Sequence, residues 1–313
     1  MRVGAVGCLG SLVISAAGRL SVRNASVVGG YDALVNVPEA PKPWPVLLWL
    51  HGGGERTHRL DDLKYGQGLT GLIEKRQSDG NRTIVSAQLV TEQFLFVAPQ
   101  HPAEAEWSSD DSFRPSKLGD LLDGIEDEHP VDLARVCIGG YSMGARAVWK
   151  TLQRYPNRFA AGVAIAGIAE NEAPDALRAL VETPTIEFHG TEDAHINYTY
   201  AVNLEANLKT LANASDTSSD SILIEIKDGT HDIADEALEY DDAFAIRWAL
   251  RQSTNDRRDF DFAAATAAQN ANLTIGEPAS SVRITPSPAS AGTLGRSFPL
   301  LVFLSLLPLS IFT

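Results

Sequence analysis

Gly140-Tyr141-Ser142-Met143-Gly144 is a G-x-S-x-G turn set between an apolar run, Arg135–Ile138, and a segment with apolar residues at helical spacing, Ala145, Val148, Trp149 and Leu152. A strand-to-helix turn this tight leaves no room for side chains on its flanks and thrusts the serine above the sheet. The helix start behind it offers N–H groups without intrahelical partners and the positive end of a dipole to a developing oxyanion. A second glycine-rich segment, His51-Gly52-Gly53-Gly54, follows the apolar run Val46–Leu50. Its backbone N–H groups can approach a ligand with no Cβ in the way, which suits one half of an oxyanion hole, the other half being the Met143 N–H. Each such donor is worth about 3–4 kcal/mol of transition-state stabilisation.

A serine hydroxyl needs a base, and the base an orienting acid. Of the seven histidines, two are weighed for this role. His231 lies in Lys227-Asp228-Gly229-Thr230-His231-Asp232, after Ile222–Ile226, and His189 opens His189-Gly190-Thr191-Glu192-Asp193, at the end of Thr185–Phe188. The order Ser142, Asp193, His231 makes His231 the proton acceptor for Ser142 and Asp193 the partner of the imidazolium, with Glu192 and Asp228 as alternative acids. The reaction this implies is acyl transfer: Ser142 attacks a carbonyl, and water releases the acyl-enzyme. His51, His58, His101, His129 and His195 are read as structural. No H-E-x-x-H and no paired metal ligands occur, and no G-x-G-x-x-G follows a strand, so neither metal nor cofactor is expected.

These residues need a scaffold. Strand-like runs at Tyr31–Val37, Val46–Leu50, Phe94–Ala98, Arg135–Ile138, Gly162–Ile165, Thr185–Phe188 and Ile222–Ile226 alternate with helical patterns, among them Leu118, Leu121, Leu122 and Ile125, and Asp235–Leu250. That alternation predicts an α/β fold with a mostly parallel central sheet and helices on both faces. Residues 66–90, with a charged run and the sequon at Asn81, read as a solvated loop beside the cleft.

With these pieces in order, the chain resembles the α/β-hydrolases, in the compact carboxylesterase/phospholipase-like "predicted peptidase" branch near feruloyl esterases and poly(hydroxybutyrate) depolymerases. The matching segments are LLWLHGGGER (47–56), FVAPQHPAEAEW (96–107), VCIGGYSMGARAVWKTLQRYPNRFAAGVAIAG (136–167), TPTIEFHGTEDAHI (183–196) and IKDGTHDI (226–233), spread over most of residues 31–251. The resemblance implies an α/β-hydrolase fold without a large cap domain. It implies Ser142, Asp193 and His231 as a triad, and Gly53 with Met143 as oxyanion donors, Gly54 being the lesser alternative. It also implies that Trp107 lines the substrate cleft. Departures fall at Ala145, where a second glycine is usual, at Thr57 after Glu55-Arg56, and at Ala194-His195-Ile196 after the acid; they bear on substrate preference. The implied activity is hydrolysis of a small-molecule carboxylic ester. Alternatives are a serine peptidase or amidase, and a catalytically silent surface binding module.

The 313 residues carry 26 basic and 40 acidic side chains, a formal charge of −14, which excludes a nucleic-acid binder relying on a basic stripe. Of two cysteines, Cys8 lies in a leader-like segment and Cys137 in an apolar run, so no disulfide framework is expected and Cys137 is read as a small buried hydrophobe. Residues 1–18 have the pattern of a secretory leader. Residues 26–251 are expected to form the catalytic domain and 252–297 a linker and Ser/Thr/Pro stalk. The apolar tail 298–313 follows the small triplet Ser290-Ala291-Gly292. This suggests a lipid-anchor (GPI) signal attached near Ser290, or alternatively a membrane tail. Sequons at Asn24, Asn81, Asn197, Asn213 and Asn272 point the same way, to a glycosylated protein at or beyond the cell surface.

Overall fold

The computed structural model describes residues 21–23, 31–56, 59–78, 83–101, 113–169, 173–214 and 219–256. Eight strands form one sheet: β1 (Ser21–Arg23), β2 (Ala33–Asn36), β3 (Trp44–Leu50), β4 (Leu95–Pro99), β5 (Val131–Tyr141), β6 (Ala161–Ile165), β7 (Thr185–Gly190) and β8 (Ser221–Ile226). Their spatial order is β1-β2-β4-β3-β5-β6-β7-β8. β1–β2 and β2–β4 pair antiparallel, and every later pair is parallel. The seven expected strands are all present, and β1 extends the sheet to the N-terminal side of residue 26. Every residue of β3, β4 and β6 is buried, as it must be when both faces of a parallel sheet are covered.

Helices α3 (Pro115–Glu128), α4 (Met143–Arg154), α5 (Pro174–Glu182) and α6 (Thr199–Ala214) cover one face. Helices α1 (Leu69–Ser78), α2 (Val85–Gln93) and α7 (Ala234–Ala249) cover the other. Strand alternation feeds both layers: Val46, Leu48 and Leu50 join the first core, Leu47 and Trp49 the second. This is the α/β-hydrolase fold expected from the sequence. Among the described residues, no helix is long and apolar enough to cross a membrane.

Residues 66–90 correct the sequence reading. The described part, 66–78 and 83–90, is not a solvated loop: it carries α1 and most of α2, with Leu69, Leu72, Ile73, Ala87 and Val90 fully or almost fully buried. The run Glu74–Ser78 is only the outer end of α1, and the apolar face lies at 69, 72 and 73, one helical stripe. The pair is fastened to α7. Glu239 accepts hydrogen bonds from the Val85 and Ser86 N–H groups, and Asp235 accepts one from Gly68 N–H and pairs with Lys75 at 2.6 Å. Helix α7 follows the expected span, but its backbone leaves helical geometry at Tyr240–Ala243, with positive φ at Asp241, Asp242 and Ala243.

Candidate active site

The carboxyl ends of β3, β5, β7 and β8 carry the loops that matter. After β5 the chain turns at Ser142, which has φ 54° and ψ −113°, and enters α4 directly. A non-glycine residue held there costs about 1–3 kcal/mol. Hydrogen bonds from Ser142 N–H to the Ile165 carbonyl (2.9 Å) and from Arg146 N–H to the Ser142 carbonyl (3.0 Å) hold it. Gly144 makes the turn possible, because a Cβ there would lie 2.0 Å from the Leu50 carbonyl oxygen. The Ser142 turn and the His51–Gly54 segment are therefore pressed against each other.

The β7 and β8 loops are laced in the same way. A Cβ on Gly190 would lie 2.3 Å from the carbonyl oxygens of both Gly229 and Thr230. Thr191 N–H donates to the Ile226 carbonyl and Glu192 N–H to the Gly229 carbonyl, at 3.1 and 2.9 Å. This contact brings His231 over the end of β7. Ser142 Oγ then lies 2.8 Å from His231 Nε2, and His231 Nδ1 lies 2.7 Å from Asp193 Oδ2. Asp193 is buried, and its other oxygen accepts the N–H groups of His195 (2.8 Å) and Ile196 (2.9 Å). Burial pushes its pKa up, but the hydrogen bonds from His231, Ile196 and His195 outweigh it and hold the carboxyl below its ordinary range. The residue stays an anion.

The structure thus joins Ser142, His231 and Asp193 in one chain. The alternative acids Glu192 and Asp228 are exposed, and no hydrogen bond joins either to His231. Gly53 begins a 3-10 turn, Gly53–Glu55, in which the Glu55 and Arg56 N–H groups bond back to the Gly52 and Gly53 carbonyls. The Gly53 and Gly54 N–H groups precede those donors and have no partner within the turn. Met143 N–H is the first of α4. Cys137 is buried as a free thiol, and burial pushes its pKa up to about 12. Asn197 and Asn213 are exposed, just before α6 and near its end. Trp107, Asn24, Asn81, Asn272, Ser290, the leader and the apolar tail lie outside the described residues.

Of three close neighbours, Tyr141 escaped the sequence reading, which placed His195 near the acid and His189 at a strand end without giving either a role here. The Tyr141 ring tilts against His231 at 5.5 Å, and its hydroxyl donates to Asp232 (3.0 Å), with the His231 carbonyl sharing that proton at 3.3 Å. His195 lies with its ring 4.8 Å from that of His231. His189 is buried directly behind Asp193. Among the described residues, Asp193, His195 and His231 form a grouping with donor atoms within 4.8 Å of one another. Asp193 and His231 are hydrogen-bonded to each other through Oδ2 and Nδ1.

His51 supports the glycine segment. Its Nδ1–H donates to the Gly52 carbonyl (2.7 Å) and its Nε2 accepts from His101 N–H (3.0 Å), which fixes the neutral ring. Burial lowers its pKa from 6.5 to about 4. Between those values the unfolded chain binds a proton that the folded one refuses, so stability falls as pH drops from about 6.5 to 4, by on the order of 3 kcal/mol. Melting curves at pH 7 and pH 4.5 should show a shallower acid loss for His51→Asn than for wild type. Parallel losses would remove His51 as the cause.

Residues 109–241 match the family model described as Phospholipase/Carboxylesterase. Among solved structures, a thermostable esterase is 21% identical, with a TM-score of 0.54 over 71% of this chain and 59% of that one, so the present chain spans less than two thirds of its length. The protein TT1662 from Thermus thermophilus is 17% identical, with a TM-score of 0.50 over 74% of this chain and 98% of that one. No curated protein matches the sequence. At these identities the likeness is one of fold, and it defines the chain as an α/β-hydrolase-fold protein.

Proposed function

We propose that the protein is a serine hydrolase of carboxylic esters that works through an acyl-enzyme. The observation that carries the reading is the unbroken chain Ser142 Oγ–His231 Nε2–Nδ1–Asp193 Oδ2, with links of 2.8 and 2.7 Å. With the Nδ1 proton held by the Asp193 anion, the Nε2 lone pair faces the serine hydroxyl. His231 takes the Ser142 proton as Oγ attacks the ester carbonyl. The N–H groups of Met143 and Gly53 receive the oxyanion. The imidazolium, stabilised by Asp193, protonates the leaving alcohol. A water molecule, activated by the same histidine, then frees the acid and restores the serine. The phospholipase/carboxylesterase match, which spans Ser142, Asp193 and His231, supports the ester over the amide. The reading extends to a glycosylated protein exported to the cell surface and tethered by a C-terminal lipid anchor, supported by the sequons, the leader pattern and the apolar tail.

A panel of chromogenic esters of graded acyl length, run beside peptide amides, tests the substrate class. We expect ester turnover with kcat/KM at least about 100-fold above any amide. Faster amide cleavage would make the protein a peptidase or amidase. No turnover of either would favour a silent binding module.

A further inference from the structure

Strand β7 reads Thr185-Ile186-Glu187-Phe188-His189-Gly190. Ile186 and Phe188 enter the core shared with α7, so the alternation turns Thr185, Glu187 and His189 toward the α6 side. On that side α6 contributes Leu204, Leu208 and Leu211, together with one buried acid, Glu205. Yet Glu187 is 5% exposed and His189 not at all. Burying such a pair is expensive, and well-packed hydrophobic residues of similar volume are often neutral or more stable. Stability alone does not account for it.

We propose that Glu187 and His189 form a second acid–histidine pair that positions Asp193 for catalysis; this rests on the serine hydrolase reading above. His189 Nε2–H donates to the Ile196 carbonyl at 2.9 Å and lies 3.4 Å from Asp193 Oδ2, the same oxygen that accepts the hydrogen bond from His231 Nδ1–H. Ile196 is held from both sides: its N–H donates to Asp193 Oδ1 and its carbonyl accepts from His189. The turn that sets the carboxylate is therefore closed by His189. Behind the ring, Glu187 Oε1 stands 3.4 Å from His189 Nδ1. The series runs Glu187, His189, Asp193, His231, Ser142.

Burial works against charge on His189, but the Glu187 carboxylate, the Ile196 carbonyl and Asp193 outweigh it and raise its pKa. The other titratable groups around the pair are few. Glu205 on α6 acts on Glu187 and lies 2.8 Å from Lys209 Nζ. Tyr198 has its ring 6.0 Å from that of His189 and its hydroxyl on Glu225. His231 lies beyond Asp193. The Nε2–H donor of His189, backed by Glu187, closes the Ile196 turn and keeps the Asp193 oxygen aimed at His231.

The test uses the full chain carrying His189→Phe, His189→Gln or Glu187→Gln. Three quantities are measured: steady-state ester kinetics, the melting temperature, and the low-field NMR resonance of the His231 Nδ1 proton without substrate. His189→Phe fills the site without a donor. We expect it to keep KM within about 3-fold, to lose kcat by roughly 10–100-fold, the scale of a small misplacement of a catalytic group, and to broaden the low-field resonance. His189→Gln, whose amide N–H reaches the position of Nε2–H, should recover kcat to within about 5-fold and restore the resonance. Wild-type kcat with a sharp resonance in His189→Phe would overturn the proposal. So would losses in His189→Gln that match those of His189→Phe and track the melting temperature. Should His189→Phe fail to fold, the isosteric Glu187→Gln carries the test: a shifted resonance with a kcat loss of about 3–10-fold supports the pair, and wild-type values overturn it. If the wild-type protein turned over no ester, the function reading would fail, while the resonance would still decide whether His189 orders the Asp193–His231 contact.

Discussion

Ser142→Ala and His231→Ala are each expected to lower kcat for an ester by about 10⁴–10⁶-fold, and the double variant to be no slower than either alone. The non-additivity follows from the geometry. Ser142 Oγ and His231 Nε2 share one proton across 2.8 Å, so removing either member leaves the other with nothing to do. The folded state should survive both changes. His231 is only partly buried on a loop held by backbone hydrogen bonds, and Ser142 is held by its own N–H and carbonyl. Relief of a hydroxyl-bearing residue from φ 54° is not expected either, because alanine meets the same backbone restriction. Residual turnover from the Met143 and Gly53 donors should remain above the uncatalysed rate. Stopped-flow or steady-state assays of the three variants, with melting temperatures alongside, check this. Fully additive losses would mean that the two side chains act in separate steps.

Asp193→Asn is expected to cost about 10⁴-fold in kcat with little change in KM, and to lower the melting temperature modestly, because the depressed pKa marks a carboxylate that stabilises the fold. The substitution keeps Oδ1 as acceptor for the His195 and Ile196 N–H groups, so the turn is preserved. At the Oδ2 position, 2.7 Å from His231 Nδ1, the carboxylate gives way to an amide NH₂. That group donates to Nδ1 and drives the imidazole proton to Nε2, where it faces Ser142 and blocks the general base. The loss should ease at high pH, as hydroxide or a deprotonated route bypasses the histidine. A loss of less than about 10-fold across the pH range would show that another acid orients His231, and Glu192 and Asp228 would have to be reconsidered despite their exposure.

Much of this site was legible because its chemistry is carried by short local patterns. Gly140–Gly144 needs its glycines for a reason visible in the sequence, a turn too tight for side chains, and the 2.0 Å approach of Leu50 to Gly144 is the physical form of that reason. Asp193 and His231 each follow a strand-like run, so a parallel sheet delivers them to one rim. What escaped depends on what covers a face. Glu187 and His189 alternate with Ile186 and Phe188, and a sheet expected to be covered on both faces does not say which helix lies over its polar side; here it is α6. Residues 66–90 were hidden for the converse reason, since the charged end of α1 masks the stripe Leu69, Leu72 and Ile73 that docks on the sheet. Tyr141 sits inside the serine motif, but its ring is turned toward His231 by the Asp232 hydrogen bond, a partner 91 positions away that no local pattern announces.

The central claim is that Ser142 is an activated nucleophile. Incubating the folded chain with a fluorophosphonate probe and mapping the adduct by peptide mass tests it most directly. The account predicts one adduct per chain, on the peptide containing Ser142, lost in Ser142→Ala and strongly slowed in His231→Ala. An unlabelled wild-type protein, or an adduct that persists in Ser142→Ala, would contradict it.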